Sequence, residues 1–310
     1  MGAESPSVAC IVLNLNGGDV LREALHSIKA MKYPRFSIIV VDNGSHDGSQ
    51  DMVRSLFAGS TLIENESNLG FGEGNNVGIR HALDSTGQAF DWVLLLNNDV
   101  VAAPDMLSEL MKVAVADSTI GIAAPKIYYH SRPDILWYAG GNVNYWTGIV
   151  SHRGVGERDT GRYDRVEDTE YISGCAMLIR RPVLENVGLF DPVYSPAYSE
   201  DADLSTRTSR AGYRLVYVPQ AKLWHKVSSY SGGGTSALKT RLKVEHNLIY
   251  MKRYARWYHW LTIPWCVGGL ALVFVVKQIA TGNFAIVGAL AQGFVSAIGS
   301  LFSSRKVSRS

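Results

Sequence analysis

A chain of 310 residues, 46% hydrophobic and 19% charged, can bury a full core as one large domain with an appendage. A net charge of +2 supplies no basic field, which excludes nucleic acid as a partner on electrostatic grounds. Cys10, Cys175 and Cys266 are odd in number and far apart in apolar runs, so they read as reduced thiols of a cytoplasmic protein, not a disulfide frame or zinc site.

The N-terminus, MGAESPSVACIVL, has no basic segment ahead of its short apolar run and reads as no signal peptide. Strand-like runs follow at 8–13, 36–41, 61–64, 91–96 and 119–125. Helical patterns lie between them: Leu21, Leu25 and Ile28 share a face, as do Met52, Val53 and Leu56, and Leu107, Leu110 and Met111. Pro104 suits a first helical position. This alternation predicts an α/β fold with a mostly parallel sheet covered on both faces, and ligands beyond the carboxyl ends of its strands.

Polar residues collect at those ends. The first strand run closes at Asn14, the second at Asp42-Asn43 in VVDNGSHDGS, and the fourth at Asn97-Asn98-Asp99 in LLLNNDVV. Each one alone is equally a turn residue bonding its own backbone. NLGFGEGNNVGI (68–79) reads G-x-G-x-x-N and does not follow the first strand, so it is a poor dinucleotide fingerprint. It is better read as a glycine-rich turn in which Gly72 permits close backbone approach, with Asn75 or Asn76 reaching a ligand or capping a helix. In ILWYAGGNVNYWTGIV (135–150), a hairpin pattern, Trp137, Tyr138, Tyr145 and Trp146 serve either saccharide stacking or ordinary packing. YISGCAMLIRR (171–181) is a buried strand pattern opened by Gly174.

Glu200, Asp201 and Asp203 open a helical pattern that stops at Gly212, and acids there also suit the helix dipole. KLWHKVSSYSGGG (222–234) carries His225 and a loop whose composition suits closure over a ligand. Two nearly uncharged runs, 261–276 and 284–302, end the chain. Lys252, Arg253 and Arg256 precede them and Arg305, Lys306 and Arg309 follow, as in a hairpin with both ends in the cytoplasm. Trp257, Tyr258, Trp260 and Trp265 fit an interfacial belt; a shallow monotopic anchor and a buried helical pair satisfy the same pattern.

In this order, VVDNGSHDGS, NLGFGEGNNVGI, LLLNNDVV, YISGCAMLIRR, YSEDADLSTR and KLWHKVSSYSGGG resemble the family 2 glycosyltransferases of the GT-A fold, the inverting enzymes that use nucleotide sugars. The resemblance covers roughly positions 8–255 and is nearest the rhamnosyltransferase-like and galactofuranosyltransferase-like enzymes of bacterial surface-polysaccharide assembly. It implies a nucleotide-binding three-layer sandwich over 1–256 and a membrane-associating helical segment over 257–310.

For the donor, it implies a UDP or dTDP sugar, dTDP-rhamnose among them. Asp42 would accept the N3–H of uracil or thymine, with Asn14, Asn43, Gly72, Asn76, Asn97 and Asn98 around the nucleotide. Asp99 stands at the end of the family's DxD motif, with Asn97 in place of the first aspartate, and His225 would join it on Mg2+ or Mn2+. Asp201 is the expected general base, Glu200 would orient the acceptor or the loop, and Asp203 is a helix-turn charge. Gly174 and Trp137 would line the sugar and acceptor pocket. The acceptor is a saccharide or polyprenyl-linked saccharide at the cytoplasmic face of the cell membrane, and a homo-oligomer is left open. Two rival readings are a noncatalytic scaffold and a sugar nucleotidyltransferase. The latter wants a basic phosphate loop after the first strand, where NLNGGDV offers no Lys or Arg before Arg22.

Overall fold

The computed structural model describes residues 4–84, 90–227 and 236–302. The expected closing loop at 228–234 and the basic residues Arg305, Lys306 and Arg309 lie outside the described residues.

Strands β1 (Val8–Asn14), β2 (Phe36–Asp42), β3 (Thr61–Glu64) and β4 (Trp92–Asn97) lie in the order β3-β2-β1-β4, each neighbouring pair parallel. Helices α1 (Gly18–Lys29), α2 (Ser49–Leu56) and α3 (Gly70–Asp84) return the chain between them. Burial on both faces explains why β1 and β4 are almost wholly apolar: residues 8–12 and 92–96 are all buried. The apolar stripe of α1 buries Leu21, Ala24, Leu25 and Ile28, each large side chain contributing roughly 1.5–3 kcal/mol.

The glycine-rich run expected as a ligand-approach turn is instead the body of α3. A Cβ on Gly74 would lie 2.6 Å from Leu13 Cδ1, and one on Gly78 would lie 2.7 Å from Ile11 Cγ2. Those glycines let α3 rest directly on β1, so close helix–strand packing is what the run supplies.

Past β4 the sheet is mixed. β5 (Val100–Ala102) leads into α4 (Met106–Ala116) and β6 (Ile120–Tyr129); β7 (Arg132–Tyr138) then doubles back along β6. β8 (Gly141–Asn144) and β9 (Ile149–His152) form a separate two-stranded ladder, as the hairpin pattern predicts. After β10 (Glu167–Asp168), β11 (Ala176–Arg180) inserts antiparallel between β4 and β6. Then α5 (Arg181–Asn186) and α6 (Glu200–Arg210) lead to β12 (Arg214–His225), parallel to β6 and antiparallel to β5.

The chain divides into two compact units, the first spanning Met1–Asn142, His152–Pro196 and Glu200–Ser231, the second Val143–Ser151, Ala197–Ser199 and Gly232–Ser310. The second holds α7 (Ala237–Tyr254), α8 (Ile263–Ala280) and α9 (Phe284–Phe302). No apolar periodicity marks α7, because its buried residues include Thr240 and His246 beside Leu248 and Met251. α9 lies along α7 through Gly293, where a Cβ would come 2.8 Å from the Arg241 carbonyl. By contrast α8 has 11% of its positions buried.

Asn43, just after β2, fastens the sheet to the chain segment before α3. Its carboxamide donates to Asn68 Oδ1 (2.9 Å) and Gly70 O (3.1 Å) and accepts from Asn65 Nδ2 (3.0 Å) and Leu69 N (3.1 Å). Asn43→Ala therefore removes four hydrogen bonds and is expected to destabilise the fold by about 3 kcal/mol in urea unfolding.

Candidate active site

Parallel register sets the strand ends level: Asn14 pairs with Asp42, and Leu13 with Asn97. Asn14 is fully buried. Its Nδ2 donates to Asp42 Oδ2 (2.9 Å) and Ser45 Oγ (3.2 Å), and its Oδ1 accepts from Gly17 N (3.1 Å) and Asn98 Nδ2 (2.9 Å). An amide has two donor hydrogens and two acceptor lone pairs, so Asn14 is fully engaged and orients Asp42 and Asn98. Asn43 is engaged in the same way, and neither amide retains capacity for a nucleotide. Gly17 is required here by space, since a Cβ would lie 2.3 Å from Asn14 Oδ1 and 2.7 Å from Asn98 Nδ2.

The Asp42 carboxylate accepts from Asn14, from Ser45 N (2.8 Å) and from Gln50 Nε2 (3.0 Å). A carboxylate has about four acceptor positions, so one remains for a ring N–H. Asn76 lies away from this crest. It clamps Phe190 by donating to its carbonyl (2.9 Å) and accepting from its N–H (3.0 Å). Gly72 faces the same residue, with Phe190 Cβ 3.2 Å from where its own Cβ would be. These two expected nucleotide contacts are occupied in packing α3 against the 188–190 turn.

Asn97 N donates to Cys175 O (3.1 Å), and the turn after β4 carries Asn98 and Asp99. Pairing of Val100 with His225 across β5 and β12 then places Asp99 Oδ1 3.0 Å from His225 Nε2. The two atoms are close but not aligned as a hydrogen bond: Asp99 Oδ1 is buried without such a partner, as is His225 Nδ1. Burial opposes charge on the imidazole, while Cys175 and Asp99 raise its pKa. Burial raises the Cys175 pKa as well, which favours the neutral thiol and leaves Asp99 as the charged neighbour of His225.

The pair suits a divalent ion. Neighbouring ligands on an octahedral ion with bonds of about 2.1 Å stand ~3.0 Å apart. A cation would replace the imidazolium proton and satisfy the orphaned carboxylate oxygen. Among the described residues no group of three His, Cys, Asp or Glu side chains converges, so an ion held by Asp99 and His225 would keep other positions for phosphate and water. The Trp137 ring meets His225 edge-on at 4.6 Å and His152 at 4.4 Å, which places it beside this pair.

The acids at the start of α6 are differently managed. Asp203 is buried and paired with Arg207 Nε (2.7 Å), with Tyr194 Oη donating to it at 3.2 Å. Asp201, half-buried, accepts at Oδ2 from Tyr171 Oη (3.0 Å) and Gly174 N (3.0 Å), and at Oδ1 from Ala202 N (2.8 Å). Burial raises its pKa while these donors pull it back. Glu200 is 5% exposed and its Oε2 has no hydrogen-bond partner. Burial first, then the Asp201 charge, push its pKa well above the ordinary range. Both carboxyls are thus pushed above the ordinary range, Glu200 with no hydrogen bond at Oε2 to oppose the rise and Asp201 with three donors that do.

Gly174 serves this acid through its N–H, and its open side is taken by Phe71, whose ring is 2.9 Å from where a Cβ would lie. Tyr138 is a core residue whose hydroxyl donates to the Tyr171 carbonyl (2.8 Å). Sequence reasoning missed Gly17, Tyr171 and His152. Only pairing across the chain reveals them, although Tyr171 stands three positions before Gly174 in a run already singled out.

A family model described as glycosyl transferase family 2 matches residues 9–188. N-acetylglucosaminyl-diphospho-decaprenol L-rhamnosyltransferase of Mycobacterium tuberculosis is 28% identical over 280 residues, covering 84% of this chain and 90% of the relative. Among solved structures, GalNAc-T7 with UDP, GalNAc and Mn2+ superposes with a TM-score of 0.64 at 15% identity, over 81% of this chain and 48% of that one. The mannosyltransferase PcManGT of Pyrobaculum calidifontis, with GDP-Man and Mn2+, gives 0.60 at 19% identity over 97% and 88%. At such identities the structural likeness shows the fold.

Because folded Glu200 keeps its proton above 4.5, where the unfolded chain releases it, its stabilising contribution is full below that value and lost as pH rises through the folded pKa. Glu200→Gln preserves the neutral shape without this loss. Its stability relative to the unaltered protein should climb with pH above 4.5, by up to ~1.4 kcal/mol per unit, as read from urea midpoints.

Proposed function

The chain belongs to glycosyl transferase family 2 and has the GT-A fold, and on that premise we propose that it transfers a sugar with inversion from a dTDP- or UDP-linked donor to a saccharide or lipid-linked saccharide, with Asp201 as general base. It is a glycosyltransferase of surface-polysaccharide synthesis. The observation that carries the finer reading is the backbone at the entry to β11: Gly174 N donates to Asp201, and the next residue, Cys175, accepts at its carbonyl from Asn97 N, two positions before the Asp99 that faces His225.

The acceptor hydroxyl is a poor nucleophile until a base takes its proton as it attacks the anomeric carbon. Two donors fill Asp201 Oδ2, whereas Oδ1 has one, so Oδ1 has the open lone pair that receives the proton. Neutral Glu200 spares Asp201 a second adjacent negative charge. At the other end of the donor, the unfilled acceptor position of Asp42 suits the N3–H of uracil or thymine. Asp99 and His225 would hold Mg2+ or Mn2+, which neutralises the departing pyrophosphate. The Mn2+ in both structural neighbours supports that reading. The mycobacterial relative is named an L-rhamnosyltransferase acting on N-acetylglucosaminyl-diphospho-decaprenol, which supports a rhamnosyl donor and a polyprenyl-linked acceptor.

A lipid-borne acceptor calls for a membrane. α8 is the element that suits one: Trp265 is 80% exposed, and Leu270, Leu272, Val273 and Val276 are exposed as well. α9 is docked by one face on α7, a helix carrying Lys239, Arg241, Lys243, Lys252 and Arg253, which favours an anchor lying in the interface over a spanning pair. Leu272→Glu combined with Val276→Glu alters exposed positions only. The double variant is expected to leave the membrane fraction while still binding nucleotide.

Nucleotide release from UDP-, dTDP- and GDP-sugars, with Mn2+ or Mg2+, tests the donor reading. Release confined to a pyrimidine donor is expected; preference for GDP would remove the role given to Asp42. Asp201→Asn is expected to lower transfer by roughly 10²–10⁴-fold with nucleotide affinity unchanged. Near-normal turnover would reject Asp201 as the base.

A further inference from the structure

Tyr171 is 6% exposed, and its hydroxyl stands between two titratable groups. On one side it donates to Asp201 Oδ2 at 3.0 Å; on the other, His152 Nε2 lies 3.3 Å away. His152 Nδ1 faces the Trp137 carbonyl at 3.2 Å. A carbonyl only accepts, so Nδ1 carries a hydrogen, and Nε2 is the ring atom that meets the Tyr171 hydroxyl.

The ring is held so that the hydroxyl stays in this gap. It stacks on the His152 imidazole (5.7 Å between centroids, 25° between planes), and the Tyr171 carbonyl accepts from Tyr138 Oη (2.8 Å). Gly141 makes the space: a Cβ there would lie 2.3 Å from Tyr171 Cδ1. Burial and the Asp201 charge raise the phenol pKa well above its ordinary value, so Tyr171 remains a neutral donor.

Building on the assignment of Asp201 as base, we propose that Tyr171 is its positioning residue and that His152 receives the Tyr171 hydroxyl once Asp201 is protonated. Before transfer, the hydroxyl donates to the Asp201 anion, fixing its rotamer and turning Oδ1 toward the acceptor. The acceptor O–H bond breaks and its proton goes to Asp201 Oδ1; the freed oxygen pair bonds to the anomeric carbon as the bond from that carbon to the nucleoside diphosphate breaks, and the diphosphate leaves with that electron pair. Asp201 is then neutral, and its Oδ2 is a weaker acceptor. The Tyr171 O–H rotates to the Nε2 lone pair of His152 and keeps its own proton throughout. The neutral product of the base is stabilised without any buried donor losing its partner.

The test uses the full chain with the nucleotide sugar found active in the release assay. Tyr171→Phe retains the ring and removes the hydroxyl. It is expected to lower kcat by ~10-fold with donor KM unchanged, and to move the acid limb of kcat upward by about half a pH unit, because a donor favouring the anion is gone. His152→Phe is expected to lower kcat in the unaltered protein and to add nothing in the Tyr171→Phe background, since it acts through that hydroxyl. Unchanged kcat and pH profile in a folded Tyr171→Phe variant would overturn the proposal, as would additive losses in the double variant. If Tyr171→Phe fails to fold, His152→Phe alone decides: reduced kcat at constant KM supports the coupling, and unaltered kcat rejects it. Asp201→Asn run alongside separates the two claims, because active Asp201→Asn removes the base itself, whereas inactive Asp201→Asn with normal Tyr171→Phe removes only the coupling.

Discussion

The crest of the sheet depends on one buried carboxamide. Asn14 ends β1 and reaches both neighbours at once, donating to Asp42 beyond β2 and accepting from Asn98 beyond β4. Parallel strands whose ends are level can be joined by a single short side chain, and an amide alone offers two donors and two acceptors for the purpose. Asp42, the residue given to the base of the donor in the proposed function, hangs from this junction. Gly17 is bare because the junction leaves it no room.

A second constraint is electrostatic. Carboxylates are expensive to bury, and four of them are handled in different ways. Asp203 is neutralised by Arg207, and Asp99 faces His225. Glu200 has no partner at Oε2 and holds a proton. Asp201 is held by Tyr171, Gly174 and Ala202, whose donors oppose the effect of burial. Two adjacent acids in a single helical turn thus meet different surroundings.

The second unit follows different physics. α7 buries a face of mixed polarity against α9, whereas α8 leaves most of its apolar surface exposed. Apolar surface of this kind, on a helix whose one charge is Lys277, is what a lipid anchor needs in the proposed function, and the exposed Trp257 and Trp265 are residues suited to a membrane interface.

Much of this was legible in the sequence. Apolar runs located β1 through β4, periodicity located α1, α2 and α4, and lack of charge marked the two C-terminal apolar helices, whereas α3 was hidden behind a glycine-rich pattern that reads as a turn. The motif order identified the family, and the strand-end residues Asn14, Asp42 and Asn97 were recognisable because polar groups end buried strands. What a side chain does at such a position was not legible. Asn14 and Asn43 looked like ligand contacts, yet the hydrogen bonds of their carboxamides are made within the protein, and Asn76 clamps Phe190. Gly72 and Gly174 looked like openings, yet Phe190 and Phe71 stand against them. The sequence by itself determined the α/β order, the family and which residues collect at the strand ends. Only the tertiary structure decided which of those residues remain unspent, and it alone brought His152 and Tyr171 behind Asp201. Hydrogen-bond capacity and protonation depend on partners distant in the chain, and a linear sequence does not show how they meet.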